Sequence, residues 1–365
     1  MRKIFAVALG AENGVYTELT LPATPYVMLD TLEKLRLEAV EKADWELTGC
    51  FVTGELARRL DPEGSLFEMN ALAEQLATLS ERELSVVEGL TKIEGTAVIH
   101  MDRFIDLAYS ADRCHFLDGV LDDAQLGRFC AENSFVPEVD DLPDETFELL
   151  DFAKIGRQFR QEQRGVFTNQ GYVQRHDELR EMHKYLDLKL KKPDYTILAE
   201  TSSGCEIKFP HPPNEPMGTE PVRCVDCAAP SLIGLTCGME TVDLLARRLA
   251  GMEPQELTAY KALLEAVDCK DLSDAERLVD SLEEYIFTPS LNFPEEVAEE
   301  ELGVILCEES IPQLIPYVDL RGYGQALMEQ RGGALTPYGL LEREDGQPVH
   351  SMNEQPEPGG MEMRL

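Results

Sequence analysis

The chain has 365 residues, of which 69 are Asp or Glu and 33 are Lys or Arg, and its formal net charge is -36. A surface with this charge repels nucleic acids, anionic membranes and acidic metabolites, and it attracts basic proteins. Because 43% of the residues are hydrophobic, the chain can bury real cores, and its length suits two or more domains.

The N-terminal sequence MRKIFAVALGAENG (1–14) contains two bases and a short apolar run, as secretory signals do. The run is only about eight residues long, at the lower limit for such a signal, and we interpret it as a β-strand. Alternation in YTILAETSSG (195–204) predicts a similar strand. No apolar stretch approaches the roughly 20 residues that span a bilayer, and nine irregularly spaced cysteines are typical of free thiols. We therefore expect a soluble, cytoplasmic protein.

Residues 70–90 predict two amphipathic helices joined by a tight break, and residues 243–263 predict the same pair. Ser80 and Glu83 form a capping-box pattern in the first copy, and Pro254 suits a first helical position in the second. Five positions recur: Ala73, Leu76, Glu83, Leu84 and Leu90 return as Ala246, Leu249, Glu256, Leu257 and Leu263. Further along, 102–106 aligns with 276–280, and Leu126 with Gly127 aligns with Leu302 with Gly303.

A third segment, 151–173, returns without gaps at 319–341, an offset of 168. The matched residues are Asp151, Gly156, Gly165, Thr168 and Gly171 with Asp319, Gly324, Gly333, Thr336 and Gly339. The pattern predicts a helix, a left-handed cap at Gly165 or Gly333, and a short hairpin. Three matching segments in one order indicate a tandem duplication.

The predicted fold class is α+β, an elongated multi-domain chain of two tandem three-part units. Each unit would have a strand-rich start, an acidic helical middle and a helix-plus-hairpin end. In the first unit these parts are 1–60, 61–136 and 137–173, and in the second 194–236, 237–311 and 312–345. Residues 174–193 are predicted to form a linker helix, and 346–365 have the composition of a tail.

The acids are concentrated in equivalent parts of the two units. Asp102 to Asp151 contains 14 acids and three arginines, and Glu276 to Glu309 contains 11 acids and one arginine. Such runs are ordinarily solvated helix faces, but their recurrence and the interleaved apolar residues favour an ordered partner-binding surface. The predicted surface comprises Asp102, Asp106, Asp112, Asp118, Asp122, Asp123, Glu132, Asp140, Asp141, Asp144, Glu145, Glu283, Glu284, Glu295, Glu296, Glu299, Glu300 and Glu301.

Motifs for catalysis are absent from the sequence: there is no P-loop, GxGxxG, GxSxG or HExxH. His176 and His183 lack a clear third ligand and are interpreted as surface residues. Zinc could bind Cys205, Cys224, Cys227 and Cys237, but the spacings are irregular and the first copy has no counterpart, so buried or free thiols are the favoured interpretation. Arg157, Arg160 and Arg164 lie close to acidic runs and are expected to form internal ion pairs or an interface. We expect no catalytic residues, no metal and no cofactor.

The stretch LLDFAKIGRQFRQEQRGVFTNQGYV (149–173), preceded by the helix pair of 69–90 and an acidic segment, resembles ArdA antirestriction proteins of mobile genetic elements. The resemblance covers residues 1–173. It implies an elongated, three-part acidic dimer that mimics bent B-form DNA and inhibits type I restriction-modification enzymes at the DNA site of their methyltransferase core. The family has one unit per chain, whereas this chain contains two. The tandem chain could therefore be a covalent pseudo-dimer, or it could form a homodimer again.

The leading functional hypothesis is a non-enzymatic DNA mimic whose partner is the basic DNA-binding cleft of a type I restriction-modification enzyme. Such a protein would block restriction and could also block modification, with no direct binding of nucleic acid or membrane. A second hypothesis is an acidic inhibitor of another host defence system, or a binder of a basic DNA-binding protein. A third is an enzyme with zinc at the cysteine cluster.

Overall fold

The computed structural model describes residues 2–11, 14–37, 43–52, 54–289, 291–306, 311–350 and 352. It confirms the α+β class, because helices alternate with small antiparallel sheets. The chain divides into two compact units: unit 1 comprises 1–23 and 37–190, and unit 2 comprises 24–36 and 191–365. Across the described residues, every helix is too short or too polar to cross a lipid bilayer.

Unit 1 begins with a sheet of three antiparallel strands, and helical layers and a second sheet follow it. Its strands are β1 (Phe5–Gly10), β2 (Tyr16–Leu21), β3 (Asp44–Cys50), β4 (Cys114–Asp118), β5 (Val166–Phe167) and β6 (Gly171–Arg175). Its helices are α2 (Gly54–Arg59), α3 (Leu66–Thr78), α4 (Glu81–Ile93), α5 (Met101–Ala108), α6 (Asp123–Glu132), α7 (Asp144–Phe147) and α8 (Phe152–Gln163). The strand orders are β2-β1-β3 and β4-β6-β5.

Unit 2 has a similar order of elements, in which a fourth strand takes the place of the short helix α2. Its strands are β7 (Ile197–Thr201), β8 (Glu206–Phe209), β9 (Pro221–Cys227), β10 (Thr236–Gly238), β11 (Tyr285–Thr288), β12 (Ala334–Thr336) and β13 (Gly339–Arg343). Its helices are α1 (Pro25–Lys34), α9 (Met239–Gly251), α10 (Pro254–Ala266), α11 (Leu272–Leu278), α12 (Pro294–Ile305), α13 (Ile311–Leu314) and α14 (Leu320–Arg331). The strand orders are β10-β9-β7-β8 and β11-β13-β12.

Strand register shows that the two units are built on one plan. Phe5, the first residue of β1, pairs with Cys50 of β3, and Ile197, the first residue of β7, pairs with Cys227 of β9. Both strand pairs contain a bulge directly after the second residue of β1 or β7. In the hairpin sheets, Cys114 pairs with Arg175 and Tyr285 pairs with Arg343. The two units therefore have the same strand register in both sheets, as expected for the repeat that the sequence predicts.

The helix pairs of the two units also correspond, and their caps form as the sequence predicts. The side chain of Ser80 accepts a bond from the backbone N–H of Glu83, and the Glu83 carboxylate accepts one from the backbone N–H of Ser80. That reciprocal pair is the predicted capping box. Pro254 is the first residue of α10, where its missing N–H leaves no bond unmade.

Backbone contacts correct two of the sequence alignments. A Cβ on Gly156 would lie 1.8 Å from the Asp123 carbonyl oxygen, and one on Gly324 would lie 1.8 Å from that of Pro294. Asp123 therefore corresponds to Pro294, and Gly127 corresponds to Ala298. The pairing of Leu126 and Gly127 with Leu302 and Gly303 is wrong. Helices α5 and α11 begin at Met101 and Leu272, so the pairing of 102–106 with 276–280 is wrong by three residues.

The predicted left-handed caps lie one residue earlier than expected. Arg164 (φ 53°) ends α8 and Gly332 (φ 66°) ends α14. Gly165 has a different role, because a Cβ there would lie 2.0 Å from the Tyr172 hydroxyl oxygen. The small residue is required by packing and not by a positive φ.

The predicted linker helix over 174–193 is wrong. The segment begins inside β6 and contains only a short 3-10 turn at Met182–Tyr185. Contacts outside the segment determine its path, because His183 donates its backbone N–H to the buried Asp106 carboxylate at 3.0 Å. Leu179, Met182 and Leu186 have the spacing of one helical face, but this pattern is not sufficient to form a helix here.

Helix α1 lies in unit 2, although it follows β2 in the chain. Asp30 and Lys261 are both more than 90% buried and pair at 3.0 Å. The Tyr338 hydroxyl donates to Asp30 at 2.9 Å. At the start of the helix, Thr24 donates its hydroxyl to Asp226 at 2.6 Å. These buried polar contacts hold α1 within unit 2.

Candidate partner-binding surface

The segment 133–151, here called the acidic segment, connects α6 to α8. It contains seven acids and no Lys or Arg, and the side chains of all seven are exposed. They are Glu138, Asp140, Asp141, Asp144, Glu145, Glu148 and Asp151. The segment therefore produces a strongly negative electrostatic potential at its surface.

Apolar contacts and turns order the acidic segment. Val139 is buried within a 3-10 turn at Pro137–Val139. The rings of Phe147 and Phe152 lie 5.4 Å apart, within the range of a favourable aromatic pair. The Asp151 carboxylate accepts a bond from the backbone N–H of Lys154 at 3.0 Å and so caps α8. The carboxylates therefore project from a folded connection.

Close contact between α6 and α8 holds the two ends of the acidic segment. The backbones meet at Gly127 and Gly156, where a Cβ on either residue would lie 1.8 Å from a carbonyl oxygen of the other helix. Arg160 of α8 donates two bonds to Asp123 of α6, at 2.8 and 3.2 Å. Hydrogen bonding from Arg160 lowers the pKa of the Asp123 carboxyl. Arg157 lies 3.6 Å from the same carboxylate, so both arginines form the internal ion pairs that the sequence predicts.

The predicted surface acids fall into three groups. Thirteen are exposed: Asp102, Asp112, Asp118, Asp122, Glu132, Asp140, Asp141, Asp144, Glu145, Glu283, Glu284, Glu299 and Glu300. Asp123, Glu295, Glu296 and Glu301 are partly buried. Asp106 is buried and accepts bonds from His183, including one from Nδ1 at 2.8 Å. Asp106 is therefore an internal residue, and the prediction that it belongs to the surface is wrong. His183, interpreted from the sequence as a surface residue, is partly buried.

Ion pairs neutralise some exposed acids and leave others with full charge. Arg128 pairs with Glu132 at 2.8 Å and with Glu148 at 2.7 Å, and Arg180 pairs with Asp112 at 2.6 Å. Within the described ranges, Lys or Arg side chains pair with only one of the seven acids of the acidic segment, Glu148. The pair of Arg128 with Glu132 is not among the sequence predictions, although a spacing of four residues on one helix is a signal for such a pair.

The equivalent connection in unit 2 has a different character. It spans 306–319 and contains three acids, Glu308, Glu309 and Asp319, against seven in unit 1, and its residues 311–318 (IPQLIPYV) contain no charged side chain. Tyr317 is 87% exposed there, and Val304 near the end of α12 is 80% exposed. The predicted surface acids of unit 2 lie in a 3-10 turn before β11 (Glu283 and Glu284) and on α12, where Glu301 pairs with Arg331. The two copies therefore present different surfaces on the same scaffold.

The cysteines and histidines form no metal centre among the residues that the structure describes. Cys224 and Cys227 are buried while Cys205 is exposed, so the four cysteines considered for zinc do not share one environment. Burial raises the pKa of the Cys130 thiol to about 11, so this cysteine is protonated at neutral pH and unsuited to nucleophilic chemistry.

Compared with known proteins, the chain matches no family model and no curated protein.

Proposed function

We propose that the protein is a non-enzymatic DNA mimic that occupies the DNA-binding cleft of a type I restriction-modification enzyme. The observation that supports this most directly is the acidic segment: seven exposed carboxylates, six of them without a Lys or Arg partner among the described residues, on an ordered connection between two packed helices. The resemblance of 149–173 to ArdA antirestriction proteins supplies the target class.

The net charge sets the scale of the mimicry. Duplex DNA contains two phosphates per base pair, so a charge of -36 equals that of about 18 base pairs. Carboxylates held on a folded surface require little ordering when they bind, whereas those of a disordered acidic tail lose conformational entropy. Each contact is weak, and a basic cleft gains from many of them together.

The test is competition for a purified type I restriction-modification enzyme and a labelled duplex containing its site. The protein should displace the duplex, and displacement should weaken steeply with salt. Six to ten phosphate-like contacts correspond to roughly 10³- to 10⁵-fold lower affinity between 50 and 200 mM salt. No displacement at either salt concentration would refute this target and favour another basic protein.

A matched pair of variants tests the acidic segment itself. The first replaces Asp140, Asp141, Asp144 and Glu145 by their amides. The control replaces four exposed acids elsewhere, Glu18, Glu215, Glu220 and Glu240, by Gln, which changes the net charge equally. The first variant should reduce the log–log salt slope by up to about 4, because each neutralised contact contributes roughly 0.9. Equal slopes for the two variants would mean that total charge, and not this segment, governs binding.

A further inference from the structure

A comparison of the two units shows that unit 1 has an unfilled strand position. In unit 2, β10 pairs antiparallel with the outer edge of β9, with Thr236 opposite Arg223 and Gly238 opposite Pro221. Cys224 extends the pairing: its N–H donates to Leu235 at 2.9 Å and its carbonyl accepts from Gly234 at 2.8 Å. The β9 edge is therefore covered immediately before α9 begins.

Among the residues that the structure describes, no strand covers the equivalent edge in unit 1. Helices α3 and α9 begin at Leu66 and Met239, so 63–65 are the counterpart of β10. These residues do not pair with β3, which is the last strand of its sheet. Between the two lies a cavity of about 770 Å³, lined by 43–47, 62–67 and Leu188. We call this cavity the β3 slot, and its volume lies in the range of about 300–1,000 Å³ typical of ligand sites.

Local hydrogen bonds explain why 63–65 do not close the slot. The Ser65 N–H donates to the Glu68 carboxylate at 2.7 Å, as part of the capping box of α3. The Glu63 N–H donates to Asp61 at 3.1 Å. In unit 2 the residue before α9 is Gly238, which has no side chain to cap the helix. Gly234, whose N–H donates to β9 in unit 2, corresponds to Asp61 when Leu66 is aligned with Met239, and the Asp61 N–H donates instead to the Ile99 carbonyl at 3.0 Å.

The walls of the slot define what it can bind. By the shared register, Leu47 corresponds to Cys224, so its N–H and C=O face the slot as an unpaired strand edge. Trp45 and Phe67 are partly buried, and Asp44, Glu46 and Glu63 are exposed. No Lys or Arg of the described residues forms an ion pair with these three acids.

We propose that the β3 slot binds an extended, basic peptide segment of a partner protein as an added β-strand. Backbone hydrogen bonds to the β3 edge would provide affinity, aromatic surface would receive alternate apolar side chains, and the three carboxylates would select Lys or Arg. Segments of the chain itself fit poorly by charge, because 38–42 contains two Glu and one Lys, and 353–365 contains three Glu and one Arg. A second copy has the same net negative charge and is disfavoured for the same reason.

Trp45 is the only tryptophan in the chain, so its fluorescence reports on the slot directly. The full-length protein is titrated with a six-residue peptide that alternates Lys and Val, and with a matched peptide that alternates Glu and Val. The basic peptide should change the emission saturably and the acidic peptide should not. Methylation of alternate backbone nitrogens in the basic peptide should weaken binding at least tenfold.

Two variants keep the test decisive. Leu47→Pro removes an N–H that faces the slot, a change that an edge strand tolerates, and it should weaken binding at least tenfold. The double variant Glu46→Lys with Glu63→Lys should bind the acidic peptide more tightly than the basic one. This second variant tests the proposal even if Leu47→Pro unfolds the unit. Binding that ignores backbone methylation, or that leaves Trp45 unchanged, would overturn the proposal. So would a dimer that already shields Trp45 without peptide. The peptide titration contains no restriction enzyme, so its outcome is independent of the proposed DNA mimicry.

Discussion

The buried ion pair of unit 2 leads to a sharp prediction for Lys261→Met. Lys261 is 6% exposed and contacts Asp30 at 3.0 Å and Glu33 at 2.6 Å. Removal of one partner of a buried pair costs about 3–5 kcal/mol, because the other charge remains buried. Asp30 keeps the Tyr338 hydroxyl at 2.9 Å and Lys34 at 3.1 Å. We therefore expect a loss at the lower end, about 3 kcal/mol.

The assay is urea unfolding with a probe that resolves the transition of unit 2. A loss of about 3 kcal/mol would lower the midpoint by roughly 1–3 M, since slopes are about 1–3 kcal/mol per molar urea. Lys270→Met is the control, because Lys270 is exposed and pairs at the surface with Asp268. The double variant Lys261→Met with Asp30→Asn should lose less than the sum of its parts, because it leaves no unpaired charge. The reasoning is refuted if Lys261→Met shifts the midpoint no more than Lys270→Met does.

The remaining predictions concern α6, α8 and α12. Gly156→Ala should destabilise unit 1 by several kcal/mol, because the added Cβ would lie 1.8 Å from the Asp123 carbonyl oxygen. Gly303→Ala is the control: its Cβ meets open space on a helix, so the change should be neutral or stabilising by about 1 kcal/mol. Thermal unfolding of the two variants compares these effects. The lowered pKa of Asp123 means that its bond to Arg160 stabilises unit 1 above the unfolded pKa of about 3.9 and is lost as the pH falls through the folded pKa. Asp123→Asn should therefore flatten the acid side of the stability profile, and an unchanged profile would contradict this.

Local signals in the sequence were sufficient to predict much of the fold. The capping box at Ser80 and Glu83 is contained in four residues, and the α8 helix and its hairpin are contained in 151–173. Short-range patterns of this kind depend on side chains and backbone groups that lie within a few residues of one another. Because both copies of a duplicated unit contain them, each copy strengthens the interpretation of the other.

Features that depend on distant residues could not be predicted. Helix α1 lies in unit 2 because Asp30 pairs with Lys261, a residue 231 positions away, and no local pattern indicates that pair. The residues on either side of Asp106 in the sequence do not distinguish it from an exposed acid. Only its contact with His183 shows that it is internal. The charge of the acidic segment was predictable, but the exposure of its acids and the pairing of Glu148 with Arg128 follow from the packing of α6 against α8.

Divergence between the copies indicates where the proposed partner would bind. The shared scaffold folds with seven acids in the connection of unit 1 and with three, Glu308, Glu309 and Asp319, in that of unit 2, so folding does not require most of the acids of the acidic segment. It folds with β10 covering a sheet edge in unit 2 and with an open slot in unit 1, so folding does not require the slot either. Both features that the scaffold can lose occur in unit 1, and both have the chemistry of a site for a basic protein. Amide substitutions in the acidic segment should therefore impair partner binding more than equal substitutions at Glu299 and Glu300 of α12, and the reverse order would assign the binding surface to unit 2.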